Sequence, residues 1–235
     1  MKMSHAANRN TVSGLFTRKV DIGDRTYGYQ VFVPETLAAK VDIPLIVFLH
    51  GIGQRGEGGF IPNKGVEAAF VRHFLRPLSA VVVIPQCVRT KYWHDPEMDK
   101  MVMGIVEQSR EEFAADPKRI YLIGVSMGGY GAWHLAAKYP GKFAAVVPIC
   151  GGSPRTTGDR WTPLAQKIGS TPIWAFHGSN DRVVPPSESR NMVEALRKVE
   201  GNRVRYTEVE GVGHNVWLNA AADPELLPWL LAQRA

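Results

Sequence analysis

Only two cysteines, Cys87 and Cys150, occur in 235 residues. That is too few for a disulfide framework, and neither sits in a paired-cysteine or Cys/His spacing that would hold a metal. Each follows an apolar run, so each reads as a small buried residue near a strand end; a bridge between them stays open. No apolar segment reaches the roughly 18 residues of a membrane-spanning helix, so no membrane partner is expected. The stretch Met1 to Asn8 carries Lys2 but no apolar signal-peptide core. A cytoplasmic protein is therefore expected, or a secreted one whose export signal has been removed. The formal charge is +6, yet the basic residues are scattered, with no run longer than a pair such as Arg18-Lys19 or Arg197-Lys198. A solvated surface accounts for this better than a nucleic-acid patch.

Several cofactor signatures are missing as well. There is no Gly-Lys-Ser/Thr phosphate loop and no His-Glu-x-x-His. Gly51-x-Gly53-x-x-Gly56 formally matches a dinucleotide-binding fingerprint. However, Glu57-Gly58-Gly59 stands where a helix should open, and no clean acidic strand end follows about 20 residues on. No cofactor and no metal are expected. Nor is there an internal repeat, a low-complexity segment or a linker dividing two domains.

What remains is an ordinary globular composition, 45% hydrophobic and 21% charged, in a chain long enough to bury a sizeable core. Residues 1–13 are polar and read as a flexible N-terminus; 14–235 read as one domain. Strand-like runs at Leu15–Ile22 and Thr26–Val33 flank Gly23-Asp24, which suits a hairpin turn. Pro44–Leu49 and Ala80–Ile84 are continuous apolar runs, as expected of strands buried on both faces. Val66–Leu75 can form a short helix. Met98, Met101, Val102, Ile105, Val106 and Phe113 fall largely on one helical face, and Asp116-Pro117 is expected to end that helix. Further strands are expected at Arg119–Ile123, Phe143–Ile149, Pro172–His177 and Arg203–Val209. A helix is expected over Pro186–Val199 and a last one from Asp223-Pro224; residues 153–171 read as polar and turn-rich. An antiparallel start followed by alternating strands and helices implies a mostly parallel sheet covered by helices on both faces.

The motif that organises this pattern is Gly124-Val125-Ser126-Met127-Gly128-Gly129. It lies between a strand and a helix that runs to Lys138-Tyr139 and stops at Pro140. In that context a Gly-x-Ser-x-Gly is a nucleophile elbow: the turn is too tight for side chains at its flanks, and Ser126 is held exposed. A serine hydroxyl needs a base, and the base needs an orienting acid. Only His177 and His214 follow the elbow helix. His214, in Gly213-His214-Asn215, lies just after a strand, where ligands meet an open α/β sheet. His177 ends a buried strand and reads as structural. The acid is expected at Asp181, one tight turn after that strand; Asp159, Glu208, Glu210 and Asp223 are the competitors. The oxyanion hole is expected from the backbone N–H groups of Met127 and Ile52, with Gly51 as the alternative to Ile52. His50 should brace that loop. Gly51, Gln54, Gln86, Trp93 and Trp217 are candidates for substrate contact, with Trp93 equally readable as a core aromatic. Arg182 and His94 read as surface residues.

At Leu49-His50-Gly51-Ile52-Gly53-Gln54-Arg55-Gly56, at the elbow, at His177-Gly178-Ser179-Asn180-Asp181 and at Gly213-His214-Asn215-Val216-Trp217, the chain resembles α/β-hydrolase-fold serine esterases. The likeness is to compact feruloyl and carbohydrate esterase family 1 enzymes, polyhydroxyalkanoate-depolymerase-like proteins and prolyl-oligopeptidase-type hydrolases. It implies Ser126, Asp181 and His214 as the triad. It also implies hydrolysis of small-molecule carboxylic esters, of short-chain or aryl, feruloyl-type acyl groups. The short span Gly151–Thr171 leaves no room for a substantial lid, which argues against action on long acyl chains. A peptidase or acyltransferase using the same triad is the alternative within enzymes, and a non-catalytic binding protein the alternative outside them. The oligomeric state is not legible.

Overall fold

The computed structural model describes residues 13–35, 42–58, 79–154 and 158–235. Most of the expected N-terminal tail and the expected helix at Val66–Leu75 lie outside these residues. Strands β1 (Gly14–Ile22) and β2 (Arg25–Val33) form the hairpin. Ile22 pairs with Arg25, leaving the two-residue turn Gly23-Asp24, where Gly23 takes a positive φ of 59°. β3 (Ile43–Leu49) and β4 (Val81–Pro85) are buried at every position, which explains their unbroken apolar sequence. Helix α1 (Pro96–Phe113) buries Met98, Met101, Val102, Ile105, Val106 and Phe113, the predicted face. It ends earlier than the sequence suggests. Ala114 closes it in the left-handed conformation at φ 50°, and Asp116-Pro117 falls inside β5 (Ala115–Val125). The early stop frees Ala115 to pair with Ile43 of β3.

Helix α2 (Met127–Lys138) follows the elbow, and β6 (Ala145–Ile149) is two residues shorter at its start than expected. The stretch 153–171 is corrected more substantially, because it contains helix α3 (Trp161–Ile168). The Asp159 carboxylate accepts the N–H groups of Trp161 and Thr162 at 3.0 and 3.1 Å, a helix-start arrangement. β7 (Ile173–Gly178), α4 (Ser187–Arg197) and β8 (Val204–Val209) match expectation closely. The C-terminus holds two helices, α5 (Trp217–Ala222) and α6 (Leu226–Ala232), where one was expected. Asp223 separates them, and its carboxylate accepts the Glu225 N–H at 2.9 Å.

The eight strands form one sheet in the order β1-β2-β4-β3-β5-β6-β7-β8. β1 and β2 are antiparallel to their neighbours, and β3 to β8 are parallel. Side chains alternate across it. Leu45, Val47 and Leu49 join a core layer with α1, α2, α3 and α4, whereas Ile46 and Phe48 join a second layer with α5 and α6. Helices thus cover both faces, and the loops after β3, β5, β6, β7 and β8 gather at one edge, where such sheets bind ligands.

Candidate active site

Ser126 sits at that edge between β5 and α2, with φ 56° and ψ −116°. A non-glycine residue with positive φ is strained and is held only by its surroundings. Those surroundings are backbone packed too closely for side chains. A Cβ on Gly124 would lie 2.0 Å from the Gly128 carbonyl oxygen, and one on Gly128 would lie 2.0 Å from that of Leu49. The Ser126 N–H donates to the Ile149 carbonyl at 2.9 Å, tying the turn to β6.

Three chain-distant loops converge here. The Ser126 Oγ lies 2.8 Å from His214 Nε2, and His214 Nδ1 lies 2.7 Å from Asp181 Oδ2. Asp181 is 5% exposed. Its other oxygen accepts the N–H groups of Val183 and Val184 at 2.8 and 2.9 Å, so one carboxylate both shapes its own turn and faces the imidazole. Two of the acidic competitors are engaged elsewhere: Asp159 starts α3, and Glu208 is paired with Arg190 and Tyr206, which hold its carboxyl down at about 2.

His177 is fully buried behind Asp181. Its Nε2 donates to the Val184 carbonyl at 3.0 Å and lies 3.3 Å from Asp181 Oδ2, while its Nδ1 accepts the Ser189 hydroxyl at 2.7 Å. Burial pulls its pKa down, so it serves as a neutral brace of the acid loop. His50 does the same for the loop after β3. Its Nδ1 donates to the Gly51 carbonyl at 2.6 Å, its Nε2 accepts the Cys87 N–H at 3.1 Å, and burial lowers its pKa to about 4. Ile52 starts a one-turn 3-10 helix, Ile52–Gln54, and is 49% exposed. Its N–H is therefore among those that a helix start leaves without an internal partner. Met127 holds the equivalent first position of α2.

Trp93 is packed as a core aromatic in this structure. It is fully buried, its indole N–H donates to the His50 carbonyl at 2.9 Å, and its ring meets the His50 ring edge-on at 5.0 Å. It also packs so tightly on Gly131 of α2 that a Cβ there would lie 2.4 Å from the Trp93 Cβ. Trp93 thus clamps the His50 loop to the elbow helix. The Gln54 carbonyl accepts the side-chain N–H of buried Gln86 at 3.1 Å, so Gln86 too supports this loop. Gly51 is buried, and Trp217 stands edge-on to His214 at 5.6 Å, next to the base. Arg182 and His94 are exposed, as expected.

Cys150 reaches the site without having been singled out as a site residue. Both cysteines are buried and unbridged. Cys150, immediately after β6, takes φ 41°, and its thiol, a ring nitrogen of His214 and a carboxylate oxygen of Asp181 all lie within 4.8 Å of one another. Among the described residues this is the one cluster of side chains with the spacing to hold a metal ion. Its position at the C-terminal end of a parallel strand was the available signal.

Comparisons with known proteins bear on the fold and the family of this chain. Residues 94–223 match the family described as phospholipase/carboxylesterase. A bifunctional acetylxylan esterase/xylanase of Neocallimastix patriciarum is 32% identical over 157 residues, 66% of this chain and 21% of that protein. Poly(3-hydroxyalkanoate) depolymerase C of Paucimonas lemoignei is 25% identical over 88% of this chain and 58% of its own. Among solved structures, a thermostable esterase superposes with a TM-score of 0.80 at 31% identity, covering 94% of this chain and 63% of that one. The chain thus spans less than two thirds of the length of each of these three relatives. The feruloyl esterase module of Clostridium thermocellum, at 16% identity and a TM-score of 0.69 over 94% of this chain and 89% of that one, shares the fold. With the family matched over more than half of its length, around an elbow serine on an eight-stranded α/β sheet, the chain belongs to the phospholipase/carboxylesterase family of α/β-hydrolase-fold serine hydrolases.

Proposed function

We propose that this chain hydrolyses carboxylic esters through an acyl-Ser126 intermediate. The observation that carries the proposal is the unbroken contact from Ser126 Oγ through His214 to Asp181, at 2.8 and 2.7 Å. His214 takes the hydroxyl proton on Nε2 as Ser126 attacks the ester carbonyl. Asp181 accepts the Nδ1–H, fixes the tautomer and stabilises the imidazolium. The N–H groups of Met127 and Ile52 receive the developing oxyanion. Imidazolium then protonates the departing alkoxide, and water, activated by the same histidine, releases the acid. The strained backbone at Ser126 supports the assignment, because such strain persists where the surroundings impose it and clusters at functional sites.

The substrates we propose are esters of short-chain or aryl, feruloyl-type acids. Two features support an open site of this kind: Ile52 and Val183 stand exposed at its rim, and helix α3 is the one helix described between β6 and β7. Relatives named as an acetylxylan esterase and a poly(3-hydroxyalkanoate) depolymerase support ester chemistry. The test is a panel of p-nitrophenyl esters from acetyl to palmitoyl, with methyl ferulate, run on wild type beside Ser126→Ala. Turnover of the short or feruloyl esters that disappears in the variant is the expected result. Equal rates in both proteins would remove Ser126 from the chemistry. Labelling of wild type by a fluorophosphonate, absent in Ser126→Ala, reports the activated serine independently of substrate choice.

A further inference from the structure

We propose that Cys150, Asp181 and His214 form a binding site for a thiophilic divalent cation, with Zn²⁺ as the fitting ion, and that its occupation switches the hydrolase off. Sulfur, imidazole nitrogen and carboxylate oxygen are three of the donors that Zn²⁺ takes, and a tetrahedral site of three protein ligands leaves one position for water. The three side chains already converge within 4.8 Å. With Zn–N and Zn–O bonds near 2.0–2.2 Å and Zn–S near 2.3 Å, tetrahedral ligands stand about 3.3–3.7 Å apart. The Nδ1 to Oδ2 separation of 2.7 Å therefore opens by roughly 0.6 Å, and the sulfur closes by about 1.5 Å at most. His214 is the accessible member, its side chain 20% exposed beside an Asp181 side chain with none, so the ion enters past the imidazole.

The chemistry of occupation follows from the donor atoms. The S–H bond of Cys150 breaks, its proton leaves to solvent, and S–Zn, N–Zn and O–Zn bonds form. The ion has to displace the Cys150 proton, because the thiolate and not the thiol is the ligand, and so it binds more tightly as pH rises. Zn²⁺ on His214 Nδ1 takes the lone pair at that nitrogen, so the single imidazole proton moves to Nε2. The nitrogen facing Ser126 Oγ at 2.8 Å then donates instead of accepting, and it can no longer take the serine proton. One ion thus removes the base and its orienting carboxylate together. The site depends on the geometry of these three side chains and does not require that the ester-hydrolysis proposal be right, so binding and activity are measured separately.

The decisive experiment is calorimetric titration of ZnCl₂ into untagged Ser126→Ala protein, beside Ser126→Ala/Cys150→Ser and Ser126→Ala/Cys87→Ser. One ion per chain is expected for the first and third proteins. Binding weaker by at least about tenfold is expected for the second, since even outer-shell losses cost that much. Cobalt(II) supplies a second readout, because a thiolate ligand gives a sulfur-to-cobalt charge-transfer band. That band should be present in the protein that keeps Cys150 and absent in the Cys150→Ser variant. In wild type, Zn²⁺ should abolish hydrolysis and EDTA should restore it, while Cys150→Ser, read as the fraction of its own metal-free rate, should need at least about tenfold more Zn²⁺ for the same loss. Stoichiometric binding that ignores Cys150→Ser, or no binding at all, overturns the proposal. Folding of each variant is checked by its circular dichroism. A protein that binds Zn²⁺ through Cys150 yet hydrolyses no ester would fail the functional proposal and leave this one standing.

Discussion

Lowering the pH from 7 to 5 should destabilise this protein through a residue that takes no part in the chemistry. His50 is fully buried, and burial lowers its pKa from 6.5 to about 4. Between those values the unfolded chain binds a proton that the folded chain refuses. Stability therefore rises with pH across that window, is fully present above about 6.5, and is lost as pH falls toward 4. For these two values the linkage relation gives a loss of about 2 kcal/mol between pH 7 and 5. In a chain of this length that lowers Tm by roughly 4–8 °C. The carboxylates do not confuse the measurement. Glu208 has its pKa lowered from 4.5 to about 2, and Glu97 and Glu107 are shifted the same way, so their contributions vanish only below about pH 4.5. Buried His177 is lowered too and adds to the slope with the same sign. Urea unfolding at pH 5, 6 and 7 reads the effect, with His50→Gln as the comparison. The variant is less stable at pH 7 but should show a visibly shallower slope. A wild-type stability that is flat from pH 7 to 5, or an unchanged slope in His50→Gln, refutes the reasoning.

Other perturbations separate the proposed roles. Asp181→Asn keeps the shape of the acid loop but favours the wrong imidazole tautomer, so kcat should drop by on the order of 10⁴ with KM little changed; stopped assays on p-nitrophenyl acetate measure it. Ile52→Pro removes one backbone N–H while keeping a residue suited to the first position of a helix, after a Gly51 whose ψ of 177° already suits a following proline. It should cost about 100–1000-fold in kcat if that N–H holds the oxyanion, and a loss under about threefold would move the donor elsewhere. Trp93→Phe leaves the buried His50 carbonyl without its indole donor. About 1–3 kcal/mol of stability should disappear in urea unfolding, with a drop in kcat that exceeds any change in KM because the loop that carries Ile52 is loosened.

Most of the fold could be read from the chain because its evidence is local. An apolar run bounded by turn residues identifies β3 or β4 without reference to anything distant, and α1 shows its buried face at helical spacing. Ser126 was legible for the same reason, since strand, tight turn and helix lie within one short window. Asp181 and His214 needed one more step, the position of each just after a strand. What was missed depends on partners far along the chain. Helix α3 hides in a polar sequence because it buries only Ala165 and Ile168 against the core, too few positions to set up a period. Trp93 is drawn to the interior by Gly131 and the His50 carbonyl, residues 38 and 43 positions away, so its sequence neighbours could not say whether it faces solvent or core.

The two buried histidines explain why the site holds its shape. Each stays neutral, each uses one ring nitrogen as donor and the other as acceptor, and each sits directly under a loop that the chemistry needs. His50 joins Gly51 to Cys87 and so ties the loop after β3 to the chain leaving β4. His177 joins Ser189 of α4 to Val184 in the turn that carries Asp181. Protonating either one converts an acceptor into a second donor, facing the Cys87 N–H in one case and the Ser189 hydroxyl in the other. Of these, the backbone N–H cannot turn away and the hydroxyl can. Acid should therefore disturb the oxyanion side of the cleft before the acid loop. Activity lost on lowering the pH then includes loosening of the Ile52 loop, and His50→Gln is the variant that isolates that part.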